Sequence, residues 1–167
     1  MKRMIATAGV CASLALAGCG FQPLYATAGV TPALTRISVP TPDGRTGTFL
    51  REALDDQLAT DRDQPPLYRL TLAYDEDRYE RGLRIDNTAN RYEVALLVNY
   101  SVVDVASGQV VATGQVRPLV SFDSADQPYQ GVAANLDASE RAAREAARLI
   151  RLDLARFFAG RAAAPTP

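Results

Sequence analysis

The chain has no histidine and no tryptophan, and its single lysine is Lys2. It holds two cysteines, Cys11 and Cys19, so from Gly20 onward there is none. Each scarcity removes a class of chemistry. Without histidine, the commonest metal ligand and the usual neutral-pH acid–base group are gone. Without cysteine in the body of the chain, no disulfide, thiolate metal site or thiol nucleophile is available. No P-loop, nucleophile elbow or glycine-rich dinucleotide turn occurs. Asp55 and Asp56 are adjacent, so on a helix they point in different directions. Asp75-Glu76-Asp77 matches neither a calcium loop nor a spaced metal motif. These absences argue against an enzyme, a metal site and a bound cofactor.

Long apolar runs are also missing, and the one short run stands at the start. Lys2 and Arg3 precede an uncharged stretch from Met4 to Leu16, and small residues Ala17 and Gly18 lead into Cys19. A positive segment, a short apolar segment and small residues form a secretory signal peptide. The run is too short for a comfortable membrane span of about 20 residues. Leu16-Ala17-Gly18-Cys19 resembles the lipobox of bacterial lipoproteins. In that family the cysteine thiol receives a diacylglycerol, the leader is cut before it, and the new amine is acylated. Residues 1–18 are therefore expected to be a signal peptide, with a covalent lipid on Cys19. Gly20 fits outer-membrane sorting, because an Asp at that place favours inner-membrane retention in enteric bacteria.

Cleavage before Cys19 leaves residues 19–167, enough for one domain with a sizeable core. Sixteen arginines then face 19 acidic residues, a formal charge of −3. No basic field points to nucleic acid. Residues 19–32 carry Pro23, Gly29 and Pro32 among small neighbours and are expected to be a tether. The domain is placed at 33–160, with a disordered tail at 161–167.

Patterning predicts the elements. Leu34 to Val39 alternates as a strand, stopped by Pro40 and Pro42. Leu50, Leu54 and Leu58 repeat at helical spacing, predicting a helix over 49–60 capped by Thr46 or Thr48. Leu67 to Tyr74 alternates again, and a charged stretch follows over 75–90. Arg91 to Asp104 has the strongest alternation, with Val94, Leu96, Val98, Tyr100 and Val102 on one side. Ala106-Ser107-Gly108 turns it into a hairpin with 109–117; Gly114 suggests a bulge. Leu119 to Phe122 extends that strand, and 123–131 is expected to be loop. A capping box at Asp137–Glu140 starts a final helix to about Phe158. Its apolar stripe is Ala143, Ala147, Ile150, Leu154 and Phe157, opposite Arg141, Arg144, Arg148 and Arg151. The fold class is therefore α+β: two helices on one face of a four-stranded mixed sheet, in the order β-α-β-β-β-α.

Cys19-Gly20-Phe21-Gln22-Pro23-Leu24-Tyr25 resembles the mature start of LptE-type lipopolysaccharide-assembly lipoproteins of alphaproteobacteria. Arg36–Val39, Arg91–Val94, Ser121-Phe122-Asp123 and the Ala/Arg-rich terminal helix fit the same family. The resemblance implies an outer-membrane, lipid-anchored protein on the periplasmic side. Its partner would be the LptD β-barrel, whose assembly it assists, and it would bind lipopolysaccharide without catalysing a covalent reaction. An auxiliary lipoprotein of an ABC-type envelope lipid transporter, or a structural envelope lipoprotein, remains open as an alternative.

Arg78, Arg81, Arg84 and Arg91 cluster where the second and third strands join, and are the candidates for contact with lipid A phosphates. Asp75, Glu76, Asp77, Glu80 and Asp86 lie among them, so the alternative is a solvated hairpin with its own ion pairs. The arginines of the last helix divide between an exposed face and contact with the polar wall of a barrel. Tyr79 and Tyr92 are placed to line a surface beside the hairpin arginines, or to pack across strands.

Overall fold

The computed structural model describes residues 29–83, 89–123 and 128–163. The leader, Cys19, most of the tether, Arg84 and the last four residues lie outside these. Three helices and five strands follow in the order α1 (Val30–Thr35), β1 (Ile37–Ser38), α2 (Arg45–Leu58), β2 (Tyr68–Leu83), β3 (Ala89–Asp104), β4 (Val110–Val116), β5 (Leu119–Asp123) and α3 (Pro128–Ala163). The expected class holds: α+β, with a mixed sheet and helices packed on it.

The sheet is ordered β1-β2-β3-β4, with β5 also on β3. β1 is parallel to β2; every other pairing is antiparallel. β4 and β5 share one edge of β3, meeting its residues 98–103 and 91–95 in turn. Pro118 marks the break, since it has no N–H for the ladder. Its carbonyl instead accepts from the Leu96 N–H at 3.1 Å.

The core lies between one sheet face and the helices. Leu50, Leu54 and Leu58 of α2 meet Ile150 and Leu154 of α3 above Leu70, Val94, Leu96, Val98 and Val102. Fully burying each such side chain contributes about 1.5–3 kcal/mol. Ala142, Ala143, Ala146 and Ala147 are fully buried, so α3 presents a stripe of small side chains to its neighbours.

Several local expectations are corrected. Residues 30–35 form a helix where tether and strand were expected; Val30 and Leu34 are buried and pull this turn onto α3. α2 begins at Arg45 after Gly44 (φ 86°), without a side-chain cap. Thr46 is therefore not a cap, and its hydroxyl goes elsewhere. β2 runs on through the charged stretch to Leu83, and β3 starts at Ala89. β5 is a separate strand on β3 and does not continue the ladder of β4. The last helix starts at Pro128, so Asp137–Glu140 sits inside it and caps nothing. It also runs to Ala163, into the segment expected to be tail.

Gly114 does not form the bulge. The register shifts between Val102 and Val103. Gly114 instead lies against the Tyr100 ring, so closely that a Cβ would collide with it.

Candidate functional site

At one end of the sheet β2 and β3 form a long ribbon, with β5 alongside β3. A strand's side chains alternate between faces, so the four hairpin arginines divide. Arg78 opposes Val94, on the face that α3 covers further along. Arg81 and Arg91 oppose each other on the open face. Arg84 lies outside the described residues. The structure therefore brings Arg81 and Arg91 together and sets Arg78 apart.

The two faces differ in charge balance. On the open face, Arg81 Nη2 is 2.7 Å from Glu93 Oε1, and Arg91 Nε is 3.0 Å from Asp123 Oδ1. Tyr79 adds to this network: its hydroxyl donates to Asp77 at 3.1 Å and accepts from Arg117 Nη2 at 3.5 Å. The Arg81 guanidinium also lies 5.6 Å from the Tyr79 ring centroid. These charges neutralise one another.

On the other face, Arg78 sits 5.1 Å from the centroid of the Tyr92 ring. Tyr92 stacks on Phe122 of β5, with centroids 5.5 Å apart. Among the described residues no carboxylate forms an ion pair with Arg78, although Glu76 and Glu80, the latter opposite Tyr92, stand on the same face. An exposed guanidinium on an aromatic base keeps its N–H fork for an anion. α3 packs on β5, and elsewhere its first turns expose Tyr129 (91%) and Val132 (62%). The cation on its aromatic stack suits an anionic group presented beside an apolar surface.

Sequence reading missed Phe122, Asp123, Glu93 and Arg117 as members of this region. The alternation of Tyr92 with Arg91 and Glu93 was visible, but the β5 partners depend on a pairing that the sequence leaves open.

A polar node fixes the ribbon to the helices. Glu76 Oε2 accepts from Thr46 Oγ1 and Glu76 Oε1 from Ser139 Oγ, each at 2.6 Å. Ser139 is buried. One carboxylate thus ties β2 to α2 and α3, next to Arg78.

Three of the four α3 arginines singled out above pair with acids of their own helix. Arg141 pairs with Asp137 at 2.8 Å, Arg144 with Glu140, and Arg148 with Glu145 at 2.6 Å, all within the helix. Farther along, the Tyr100 hydroxyl donates to Asp153 Oδ2 at 3.3 Å. Burial, then the Asp153 charge, push the phenol up to about 12. Among the described residues no group of three or more acidic, cysteine or histidine side chains is placed to hold a metal ion. No helix among them is long and apolar enough to cross a membrane.

A family model described as lipopolysaccharide-assembly, LptE, matches residues 34–154. The chain belongs to the LptE family. The match runs from the end of α1 into α3 and takes in the whole ribbon. A crystallised Caulobacter crescentus CB15 protein, described as a lipoprotein, is 45% identical; the alignment covers 83% of this chain and all of that one, with TM-score 0.70. Two more distant structures share the LptE-family fold. A minor lipoprotein from Acinetobacter baumannii is 12% identical, with 72% and 88% of the two chains covered and TM-score 0.51. An uncharacterised lipoprotein B from Nitrosomonas europaea is 15% identical, with 76% and 83% covered and TM-score 0.51. No curated protein matches the chain.

Proposed function

We propose that the chain is a lipid-anchored outer-membrane lipoprotein. It acts without covalent chemistry as the partner of an LptD-type β-barrel in lipopolysaccharide export. The observation that carries this reading is the LptE match over residues 34–154. The lipobox supports it from outside that range. Cys19 would carry the acyl chains, and residues 20–28 would link them to α1. One acyl chain holds a protein weakly, but each buried CH₂ adds about 0.8 kcal/mol, so several chains anchor it stably.

Lipopolysaccharide would be held at the ribbon. Arg78 is the leading contact for a lipid A phosphate, with Tyr92 and Phe122 behind it. Arg81 and Arg91 would have to exchange Glu93 and Asp123 for the ligand, so their part is smaller. Arg84 stays a candidate on sequence grounds alone. Lipopolysaccharide titration of Arg78→Ala and Arg81→Ala tests this ranking. Arg78→Ala should weaken binding several-fold and flatten its salt dependence, and Arg81→Ala should do less. Unchanged affinity in Arg78→Ala at low and high salt rejects Arg78 as a contact.

A further inference from the structure

The two edges of the sheet are unlike. On one side β1 is two residues long, and Pro40 and Pro42 follow it, so it offers little to a further strand. On the other side β4 runs from Val110 to Val116 without a charge or a proline. Edges of that kind are ordinarily blunted by charge, by proline or by a covering element. Among the described residues no strand pairs with β4 except β3.

The ladder shows which backbone groups β4 leaves open. The Leu96 N–H donates to the Pro118 carbonyl at 3.1 Å, in the register that pairs Val98 with Val116 and Tyr100 with Gly114. Hydrogen-bonded and non-hydrogen-bonded pairs alternate along an antiparallel ladder. Ala112, Gly114 and Val116 therefore bond to β3, and Thr113 and Gln115 turn their N–H and C=O groups outward. Beside this edge a groove opens between Val111, Ala112 and Gly114 of β4 and Asp153, Arg156 and Phe157 of α3. Asp153 and Arg156 are the charged residues that line it, one of each sign, 3.3 Å apart.

We propose that β4 is the pairing edge for a second copy of this chain, antiparallel about a two-fold axis through Thr113, so that two sheets become one. Thr113 then exchanges both backbone hydrogen bonds with Thr113 of the other copy. Gln115 stands opposite Val111, and Arg117 opposite Gln109, so no like charges meet. The groove charges select a second copy. Tyr100 hydrogen-bonds Asp153 and pairs with Gly114, so Asp153 is level with Gly114. α3 runs opposite to β4: Phe158 lies against Tyr68, whose partner Asp104 is bonded to Gln109 at the start of β4. Arg156 is therefore nearer Val110 than Asp153 is. The axis sets Arg156 of each copy towards Asp153 of the other, the self-complementarity that a two-fold interface requires. This pairing is a state of the lipoprotein free of a barrel, and it stands whether or not a barrel is the partner.

The full-length lipoprotein, freed of other proteins in mild detergent, is measured by sedimentation with the detergent contribution subtracted. A protein mass twice that of one chain is expected. Thr113→Pro removes an outward N–H and leaves the β3 ladder intact. It should return the mass to one chain with an unchanged circular dichroism spectrum. Arg156→Asp sets acid against acid and should raise the concentration of half-dissociation at least fivefold. Thr113→Cys puts a thiol on the axis, where paired Cα atoms about 5.5 Å apart can be bridged. Oxidation should give at least tenfold more disulfide-linked dimer than in Thr71→Cys, which lies on β2, away from the edge. A one-chain mass for the unaltered lipoprotein up to its solubility limit overturns the pairing. A two-chain mass that Thr113→Pro or Arg156→Asp leaves unmoved, or equal bridging through the two cysteine positions, places the contact elsewhere and overturns it as well.

Discussion

Arg81 and Arg91 stand directly opposite each other on β2 and β3, and each is neutralised by a different carboxylate, Glu93 and Asp123. Two like charges in register would repel. Here the carboxylates come from β3 and β5, so the site's electrostatics depend on the pairing of a third strand. The Arg91–Asp123 pair is exposed on both sides and the Arg81–Glu93 pair on its arginine side, and exposed pairs contribute about 0–1 kcal/mol. Arg81→Ala and Arg91→Ala should each lower stability by no more than about 1 kcal/mol in urea denaturation. A larger loss would mean that the pairs hold the ribbon together.

The Glu76 node should matter more. Ser139→Ala removes one of two hydroxyl donors from a partly buried carboxylate. Hydrogen bonds to charged groups contribute about 1.5–3 kcal/mol. A loss in that range is expected from equilibrium unfolding, and less than about 0.5 kcal/mol would show that water replaces the hydroxyl.

Gly114→Ala tests the contact under Tyr100. The added methyl meets the ring directly, and overpacking typically costs about 1–3 kcal/mol. Combining it with Tyr100→Leu should recover part of the loss. No change in Gly114→Ala alone would mean that the ring moves aside freely.

Tyr100 also sets an alkaline limit. Its phenol ionises near 12 in the folded chain, against about 10 when unfolded. Between those values the unfolded chain has lost a proton that the folded chain keeps. The contribution is thus fully present below about pH 10 and is lost as pH rises towards 12. Ultraviolet titration should show a tyrosine ionisation near pH 12, and Tyr100→Phe should abolish that step.

Much of this was legible in the sequence because the buried stripes were clean. Leu50, Leu54 and Leu58 gave α2, and Val94 to Val102 gave the inner face of β3, since each has one wet and one dry side. The ribbon was less legible. From Asp75 to Arg81 both faces of β2 meet solvent over much of their area, so charges stand on both and the alternation disappears. α1 is only six residues long and contains Pro32, too short to show a period. The start of α3 was misplaced because Asp137–Glu140 imitates a cap; Pro128, a residue suited to a first helical turn, was the better signal. Of the site, the arginines were visible as a group. Their division between faces became visible only with the register of β2 on β3.

The most direct test of the central claim is purification of the full-length lipoprotein from outer membranes in mild detergent, with identification of what comes with it. An LptD-type barrel is expected in stoichiometric amount, together with an acylated Cys19. Recovery of the acylated lipoprotein without any such barrel would contradict the account.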